Sequence, residues 1–210
     1  MRLAALLFIS LLLAGCANVQ TLGLYDSSLV ASTGNEINGF AQTSIFEDDV
    51  TADVWFTKEQ KCLKVSNDHS VVQSGSGALH IQWNKQAGGC PWLGLGIGWD
   101  GWTGKDVSQI LNQAALSFYV RTDDKPMKGL PWAIGFEDFS GNQKWIGVTE
   151  QWVVNGPIQS EWRQVLIPLS AFSLENSTVD FYSIKQLMLQ FESNGNVFID
   201  NIEMIALSAK

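Results

Sequence analysis

Tryptophan placed beside glycine is the feature of this sequence with the clearest chemical use. The 210-residue chain has nine Trp against three Tyr, together with 19 Gly and only 16% charged residues. Trp92 and Trp145 each alternate with the aliphatic residues of a predicted strand and stand near glycines. A Trp side chain in that setting exposes a flat apolar surface, on which the C–H face of a sugar ring can stack. These two residues are therefore candidate ligand-binding residues.

Polar residues on other predicted strands would complete such a site on one sheet face, through hydrogen bonds to ligand hydroxyls. We expect these contributions from His80, Gln82, Tyr119, Arg121, Glu137 and Gln190. The alternative for each Trp is that its ring fills a gap beneath a loop. The alternative for His80 is a hydrogen-bonded surface histidine without a ligand.

The residues that could do covalent chemistry form no clear catalytic arrangement. Glu137 and Asp138 are adjacent, so on a strand they face opposite ways, whereas glycosidases need two carboxylates at a defined separation. We therefore predict a protein that is not an enzyme. Two alternatives stay open: a small hydrolase or lyase using Glu137, Glu150 or Tyr119, and a structural protein whose Trp face binds another protein.

The charge balance excludes one class of partner. The formal net charge is −8, from 13 Lys and Arg against 21 Asp and Glu. Nucleic-acid binding relies on clustered Lys and Arg that neutralise phosphates. We therefore expect no nucleic-acid partner.

Short alternating segments separated by turn sequences predict an all-β fold. In residues 78–83, Leu79, Ile81 and Trp83 face one way, while His80 and Gln82 face the other. Further segments of this kind span residues 92–99, 115–121, 132–136, 145–149, 164–169, 184–191 and 197–205. Only residues 105–112 resemble a helical turn. This pattern predicts one antiparallel β-sandwich of two sheets, with no second domain.

One predicted strand carries three glycines on a single face. Leu93, Leu95 and Ile97 alternate with Gly94, Gly96 and Gly98. The glycine side has no side chains, which weakens a strand and leaves a trough along it. We expect another backbone, a neighbouring aromatic ring or a ligand to approach closely there; the alternative is a sheet-packing contact or a bulge.

The N-terminus predicts export and a lipid anchor. Arg2 precedes an apolar run, Leu3 to Leu13, which is short for a membrane-spanning helix and typical of a signal peptide. The run ends in Leu13-Ala14-Gly15-Cys16, which resembles the bacterial lipobox, and Cys16 is then the lipidated residue. We therefore predict a signal peptide over residues 1–15, a flexible tether over 16–38 and a domain over 39–210. Ala17 favours the outer membrane of the bacterial envelope.

Cys62 and Cys90 are the two cysteines left after lipidation. In an exported, oxidising location a disulfide between them is the expected state. The closed loop of 28 residues would stabilise the fold by about 3 kcal/mol in the chain-entropy model.

Five segments of the chain resemble the galactose-binding-like jelly rolls that include many carbohydrate-binding modules. They span residues 45–48, 75–81, 116–121, 162–172 and 197–202, and the match extends over about residues 40–207. The chain is most similar to the non-catalytic C-terminal module of some bacterial exo-glucanases. The resemblance implies a jelly-roll sandwich, a glycan ligand and no catalytic activity.

The same resemblance implies a structural calcium ion and a partner. Such modules often hold calcium where the first and last strands meet, and the matching ligands here are Glu47 and Asp200. The alternative is that residues 47–49 form a solvated acidic turn. These modules are usually attached to an enzyme, whereas this one stands alone, so a separate glycoside hydrolase or an envelope protein is the implied protein partner.

Overall fold

The chain forms a sandwich of two antiparallel sheets, which confirms the predicted all-β fold. The computed structural model describes residues 29–31, 37, 40, 43–49, 54–58, 61–173 and 177–209. The strands are β1 (Leu29–Ala31), β2 (Ser44–Phe46), β3 (Val54–Lys58), β4 (Leu63–Asp68), β5 (Ala78–Asn84), β6 (Gly94–Trp99), β7 (Ala114–Arg121), β8 (Trp132–Asp138), β9 (Gln143–Gly147), β10 (Arg163–Pro168), β11 (Ile184–Phe191) and β12 (Asn194–Ala209).

Helical structure in the described residues is confined to short turns. One α-helical turn, α1, spans Lys85–Gly88, and 3-10 turns lie at Asp100–Trp102, Ser108–Ile110, Glu150–Trp152 and Leu169–Ser173. The predicted helical turn over 105–112 is thus a shorter 3-10 turn. None of the helices in the described part of the chain is both long enough and apolar enough to span a membrane.

The larger sheet has seven strands in the order β10-β7-β12-β5-β4, with β1 and β2 also paired to β12. β12 can pair with so many strands because it is 16 residues long. It pairs with β5 through Asn194 to Ile199, with β7 on its other side, and with β1 at its end. A register shift between Asp200 and Glu203 interrupts its pairing with β7.

The smaller sheet has five strands in the order β3-β6-β11-β8-β9. β6 and β8 each pair antiparallel with β11, so these two strands run in the same direction. Consecutive strands of the chain often lie in different sheets: β5 belongs to the larger sheet and β6 to the smaller one.

The core lies between the two sheets and is rich in aromatic rings. Trp132 stacks on Phe191 with ring centroids 5.3 Å apart, and Trp83 lies 5.0 Å from Phe191. Among the residues whose side chains the structure describes, Trp83, Trp132 and Trp152 are buried in the sandwich interior. Burial of such large apolar rings is a main stabilising contribution in a sandwich.

Part of the predicted tether belongs to the fold. Leu29–Ala31 pairs with residues 207–209 at the end of β12, and Ile37 is buried in the core. The expectation of a flexible tether across the whole of 16–38 is therefore wrong for these residues, because β12 extends far enough to pair with them. The predicted signal peptide and Cys16 lie outside the described residues.

The predicted disulfide is present between Cys62 and Cys90, with their Cα atoms 6.5 Å apart. Cys62 directly precedes β4 of the larger sheet, whereas Cys90 lies between α1 and β6 of the smaller one. A Cβ on Gly88 would lie 2.1 Å from Cys62 Sγ, so the close approach of the bridge requires glycine there. The disulfide therefore holds the crossover between the two sheets against the start of β4.

Candidate functional site

Three tryptophan rings lie over three glycines of the five-stranded sheet. A Cβ built on Gly94 would fall 2.4 Å from ring carbons of Trp92, and one on Gly98 would fall 1.1 Å from Trp102 Nε1. On β8, a Cβ at Gly135 would fall 2.8 Å from the ring of Trp145. We call Trp92, Trp102 and Trp145 the Trp platform.

The strand register shows how the platform spans the sheet. Met188 of β11 pairs with Gly96 on one side and with Gly135 on the other, and Gly135 in turn pairs with Trp145 of β9. Residues paired across strands lie on the same face of a sheet. The alternate residues, such as Leu95 and Ile134, are buried in the core. The glycines and the Trp platform therefore lie on the outer face of the sheet.

The glycine trough predicted along residues 94–98 is thus filled by neighbouring aromatic rings. The missing side chains let the Trp92 and Trp102 rings approach the backbone of β6 closely. Trp92 nonetheless keeps 57% of its surface exposed. The trough is therefore covered by the exposed ring of Trp92 and the half-buried ring of Trp102, and it is not a contact between sheets.

Polar side chains on the same face are already tied to one another. Glu137 accepts hydrogen bonds from Lys185 Nζ at 3.2 Å and from Gln186 Nε2 at 2.6 Å. Trp145 Nε1 donates to Gln143 Oε1 at 3.1 Å. Gln190 pairs with Gly94, the residue that Trp92 covers. Predicted residues Trp92, Glu137, Trp145 and Gln190 are therefore brought together on one sheet.

Trp102 is a platform residue that the strand pattern does not select. It lies in a 3-10 turn after β6, and both Gly101 and Trp102 have positive φ, at 60° and 59°. This turn returns the ring over Gly98, four residues earlier in the chain. The only sequence signal for it is a Trp between two glycines in a loop, because alternation applies only within strands.

The other four predicted ligand-binding residues lie on the opposite sheet. His80 and Gln82 are in β5, and Tyr119 and Arg121 are in β7, both in the seven-stranded sheet. The expectation that all eight residues share one face is therefore wrong. Alternation along a strand shows which face of the strand a residue occupies. Which of the two sheets the strand joins is decided by long-range pairing.

Two of these four residues take part in packing on the seven-stranded sheet. His80 stacks on Phe198 with centroids 4.3 Å apart, and its Nε2 lies 2.6 Å from Asn196 Oδ1. Arg121 covers the Phe198 ring at 5.9 Å and forms an ion pair with Asp123. Their polar groups are used within the fold, which agrees with the alternative given for His80.

The residues expected to bind calcium lie near an oxygen-lined cavity of about 260 Å³. Its lining residues include Glu47, Asp48, Glu203, Ser74 and Asn201, but not Asp200. Asp200 is fully buried, and its carboxylate accepts backbone N–H groups of Gln73, Ser74 and Asn201. Burial raises the pKa of Asp200 despite these hydrogen bonds, with a further contribution from Asp48.

The geometry does not fit a preformed calcium cage around Glu47 and Asp200. Within the part of the chain that the structure describes, no three Asp, Glu, His or Cys side chains are grouped so that they could hold a metal. Asp200 is engaged by backbone amides, and Glu47 is exposed. Calcium binding stays a prediction.

Glu203 offers a test of the charge in the cavity lined by Glu47, Asp48 and Glu203. Burial raises its pKa, and the charge of Glu47 raises it further, so deprotonation opposes folding as pH rises through that value. In chelator at pH 7, we expect Glu203→Gln to raise Tm by about 2 °C, and the gain to vanish near pH 3, where the carboxyl is protonated in both states. Differential scanning fluorimetry measures both.

The same measurement decides the calcium prediction. If calcium binds here, added calcium raises the wild-type Tm more than that of Glu203→Gln. A wild-type Tm that is identical in excess calcium and in chelator would remove the calcium prediction, and a destabilised Glu203→Gln in chelator would contradict the charge argument.

The carboxylates considered for catalysis are held apart. Asp138 is buried and faces away from Glu137, as adjacent strand residues must. Glu150 is exposed and lies 3.3 Å from Lys128 Nζ, while Tyr119 belongs to the other sheet. Of the three residues proposed for a hydrolase, Glu137 and Tyr119 therefore lie in different sheets, and Glu150 lies in a 3-10 turn outside both.

Solved structures share this fold. The family 30 carbohydrate-binding module of a cellulosomal cellulase of Clostridium thermocellum is 19% identical, with a TM-score of 0.60 over 80% of this chain and 97% of that one. The family 11 module of Clostridium thermocellum in complex with a β-1,3-1,4-mixed-linked tetrasaccharide is 13% identical, with a TM-score of 0.50 over 74% and 89%. An exo-β-agarase is 14% identical, with a TM-score of 0.54 over 80% of this chain and 26% of that one.

Identities this low show the fold alone, and no curated protein matches the chain. The family assignment comes from the model described as carbohydrate binding domain 30, which matches residues 42–206 and so covers nearly all of both sheets. Domains of this kind bind carbohydrate without catalysing its conversion. The chain belongs to the carbohydrate binding domain 30 family and is a non-catalytic carbohydrate-binding protein.

Proposed function

We propose that the Trp platform is the carbohydrate-binding surface and that its ligand is a β-glucan. The observation that carries the proposal is the seating of three Trp rings over glycines on the outer face of one sheet. Two similar structures support the choice of ligand, because one is a module of a cellulosomal cellulase and the other is a complex with a β-1,3-1,4-mixed-linked tetrasaccharide.

The platform suits a sugar because it combines apolar rings with fixed polar groups. Sugar rings present C–H faces that stack on Trp, while their hydroxyls need hydrogen-bond partners. Gln190 beside Gly94 and the Glu137–Lys185–Gln186 group provide such partners on the same face. Little reorganisation is needed, because the polar groups already hold one another in place.

The test is binding of barley mixed-linkage β-glucan and cello-oligosaccharides, followed by Trp fluorescence and isothermal titration calorimetry. We expect Trp92→Ala and Trp145→Ala each to weaken binding about tenfold, because each removes one stacking surface. Trp92 is mostly exposed, so its replacement should leave Tm nearly unchanged. Tyr119→Ala on the seven-stranded sheet is the matched control and should bind like wild type.

Three outcomes would contradict the proposal. Equal losses in Tyr119→Ala and the Trp variants would place binding elsewhere or report a folding defect. Failure of wild type to bind any glycan in a broad array would favour a protein-binding surface. Release of reducing ends or unsaturated products from a bound glycan would favour the enzyme alternative.

We also propose that Cys16 is lipidated and anchors the protein in the bacterial envelope, most simply in the outer membrane. The lipobox-like sequence Leu13-Ala14-Gly15-Cys16 supports this. In this arrangement the domain holds glycan at the membrane for a separate hydrolase or envelope protein. Mass spectrometry of the mature protein should find a diacylated N-terminal Cys16. A free N-terminus at another residue would contradict the anchor.

A further inference from the structure

Phe139 is an exposed aromatic ring outside the Trp platform. Among the described residues, the large hydrophobic side chains that remain exposed are Trp92 at 57%, Phe139 at 53% and Tyr182 at 70%. Trp92 already belongs to the platform. Phe139 directly follows β8, the strand that carries Gly135 beneath Trp145. An exposed aromatic ring next to a binding face offers a further apolar surface on which a sugar can stack.

The register places Phe139 beyond the end of the platform opposite to Trp92. Ala133 and Gly94 both pair with Gln190, so they are level with each other at the Trp92 end. From this level β6 and β8 run in the same direction. β6 reaches Gly98, which lies under Trp102, and β8 continues through Glu137 to Phe139. Six residues of strand span about 20 Å, which is longer than a single sugar ring.

Phe139 also lies beside a glycine, at ordinary van der Waals distance and not directly over it as the platform rings do. A Cβ built on Gly104 would fall 3.4 Å from Phe139 Cε2 and 3.1 Å from Ser183 Oγ. Gly104 lies two residues after Trp102, so the loop that supplies the Trp102 ring continues to the Phe139 ring. The two aromatic positions are therefore joined by one short segment of chain.

The backbone around Phe139 is held firmly in place. Phe139 N–H donates to the carbonyl of Ser183 at 3.2 Å. The preceding residue, Asp138, is buried and accepts hydrogen bonds from Ser140, Asn142 and Asp180. A fixed backbone lowers the entropy cost of using the exposed ring for binding.

We propose that Phe139 is a further sugar-stacking position, so that the site recognises an extended stretch of a glycan chain and not a single sugar or a chain end. The inference rests on the proposed function of the Trp platform. One glycan chain occupies the surface from Trp92, past Trp102, to Phe139. Affinity then rises with chain length until a sugar ring occupies the position over Phe139.

The test is isothermal titration calorimetry of wild type and Phe139→Ala with a ladder of cello-oligosaccharides and of mixed-linkage β-1,3-1,4-glucan oligosaccharides, from di- to hexasaccharide. For wild type, we expect Kd to fall along the ladder and then level off. In Phe139→Ala the affinity for the longest oligomers should fall about five- to tenfold, and the levelling off should come earlier. The affinity for the shortest oligomers should change less than about twofold.

Controls separate this inference from the proposed function. Trp92→Ala should also lower the affinity for longer oligomers, and Tyr119→Ala should lower the affinity for none of them. Relative to Phe139→Ala, Phe139→Trp should restore or tighten binding of the long oligomers only. If wild type binds the oligosaccharides and Phe139→Ala binds every length with the same affinity, only the Phe139 position is overturned. An equal loss of affinity at every length has the same consequence. Absence of wild-type binding to both ladders and to the polysaccharides overturns the proposed function, and the Phe139 position with it.

Discussion

Asp138→Ala is expected to lower the free energy of unfolding by about 3 kcal/mol and Tm by about 10 °C. Asp138 is 1% exposed. Its Oδ1 accepts the backbone N–H groups of Ser140 and Asn142, and its Oδ2 accepts Asn142 Nδ2 and the N–H of Asp180, all at 2.8 to 2.9 Å. Alanine would leave three backbone donors without their acceptor, at hydrogen bonds that are partly buried.

The effect should depend on pH in a defined direction. Burial acts to raise the pKa of Asp138, but the hydrogen bonds from Asp180, Asn142 and Ser140 outweigh it and hold the pKa below its usual value. A lowered folded-state pKa gives stability that is present above the usual value and is lost as pH falls through the folded-state pKa. The difference between wild type and Asp138→Ala should therefore shrink below about pH 4.

Urea unfolding followed by circular dichroism, at pH 7 and at pH 3, measures both quantities. Asp138→Asn is the matched control, since it keeps the shape and one acceptor oxygen and should lose less stability than Asp138→Ala. A loss below about 1 kcal/mol in Asp138→Ala, or a difference that is the same at both pH values, would contradict this account. Because Asp138 supports the turn after β8, we also expect weaker binding of long glycans in Asp138→Ala.

The double variant Cys62→Ala with Cys90→Ala should lower the free energy of unfolding by about 3 kcal/mol. The disulfide closes a loop of 28 residues and restricts the unfolded chain, and it also holds the crossover from β5 to β6. Thermal unfolding with and without reductant measures the effect in wild type. The Tm of the double variant should be the same in both conditions.

No ring of the Trp platform is part of the bridge, although Cys90 lies two residues before Trp92, so glycan affinity is measured separately from stability. At temperatures where the double variant is folded, its affinity for cello-oligosaccharides should match that of wild type. Equal Tm values in wild type with and without reductant, together with two titratable thiols after unfolding in non-reducing denaturant, would contradict the bridge. A loss of affinity in the folded double variant would mean that the crossover positions Trp92.

The strands were predictable because alternation is a local property. β5, β7 and β11 match their predicted spans to within a residue, since β5 and β7 alternate large apolar residues with polar ones and β11 places Leu187, Leu189 and Phe191 on one face. β3 and β4 were missed, because segments such as Val54–Lys58 and Leu63–Asp68 mix apolar and polar residues without a clean alternation. β9 begins two residues earlier than predicted, at Gln143, and ends at Gly147.

The candidate site was only half predictable. Trp92 and Trp145 were found because each stands out of phase with its aliphatic neighbours and near glycine, and both rings do cover glycines. His80 and Arg121 were selected by the same reasoning about outward faces, but they pack against Phe198 on the other sheet. Trp102 and Phe139 lie outside strands, so periodicity carried no information about them.

The sequence by itself determined the sandwich class, the Cys62–Cys90 pairing and two rings of the Trp platform. These follow from alternation, from the number of cysteines and from the local neighbourhood of glycine, all of which are read within a few residues or by simple counting. The tertiary structure decided which outward faces coincide, because β5 and β6 are consecutive in the chain but pair in different sheets. It also decided the position of two residues outside the strands, since only the folded backbone brings Trp102 over Gly98 and Phe139 beside Gly104.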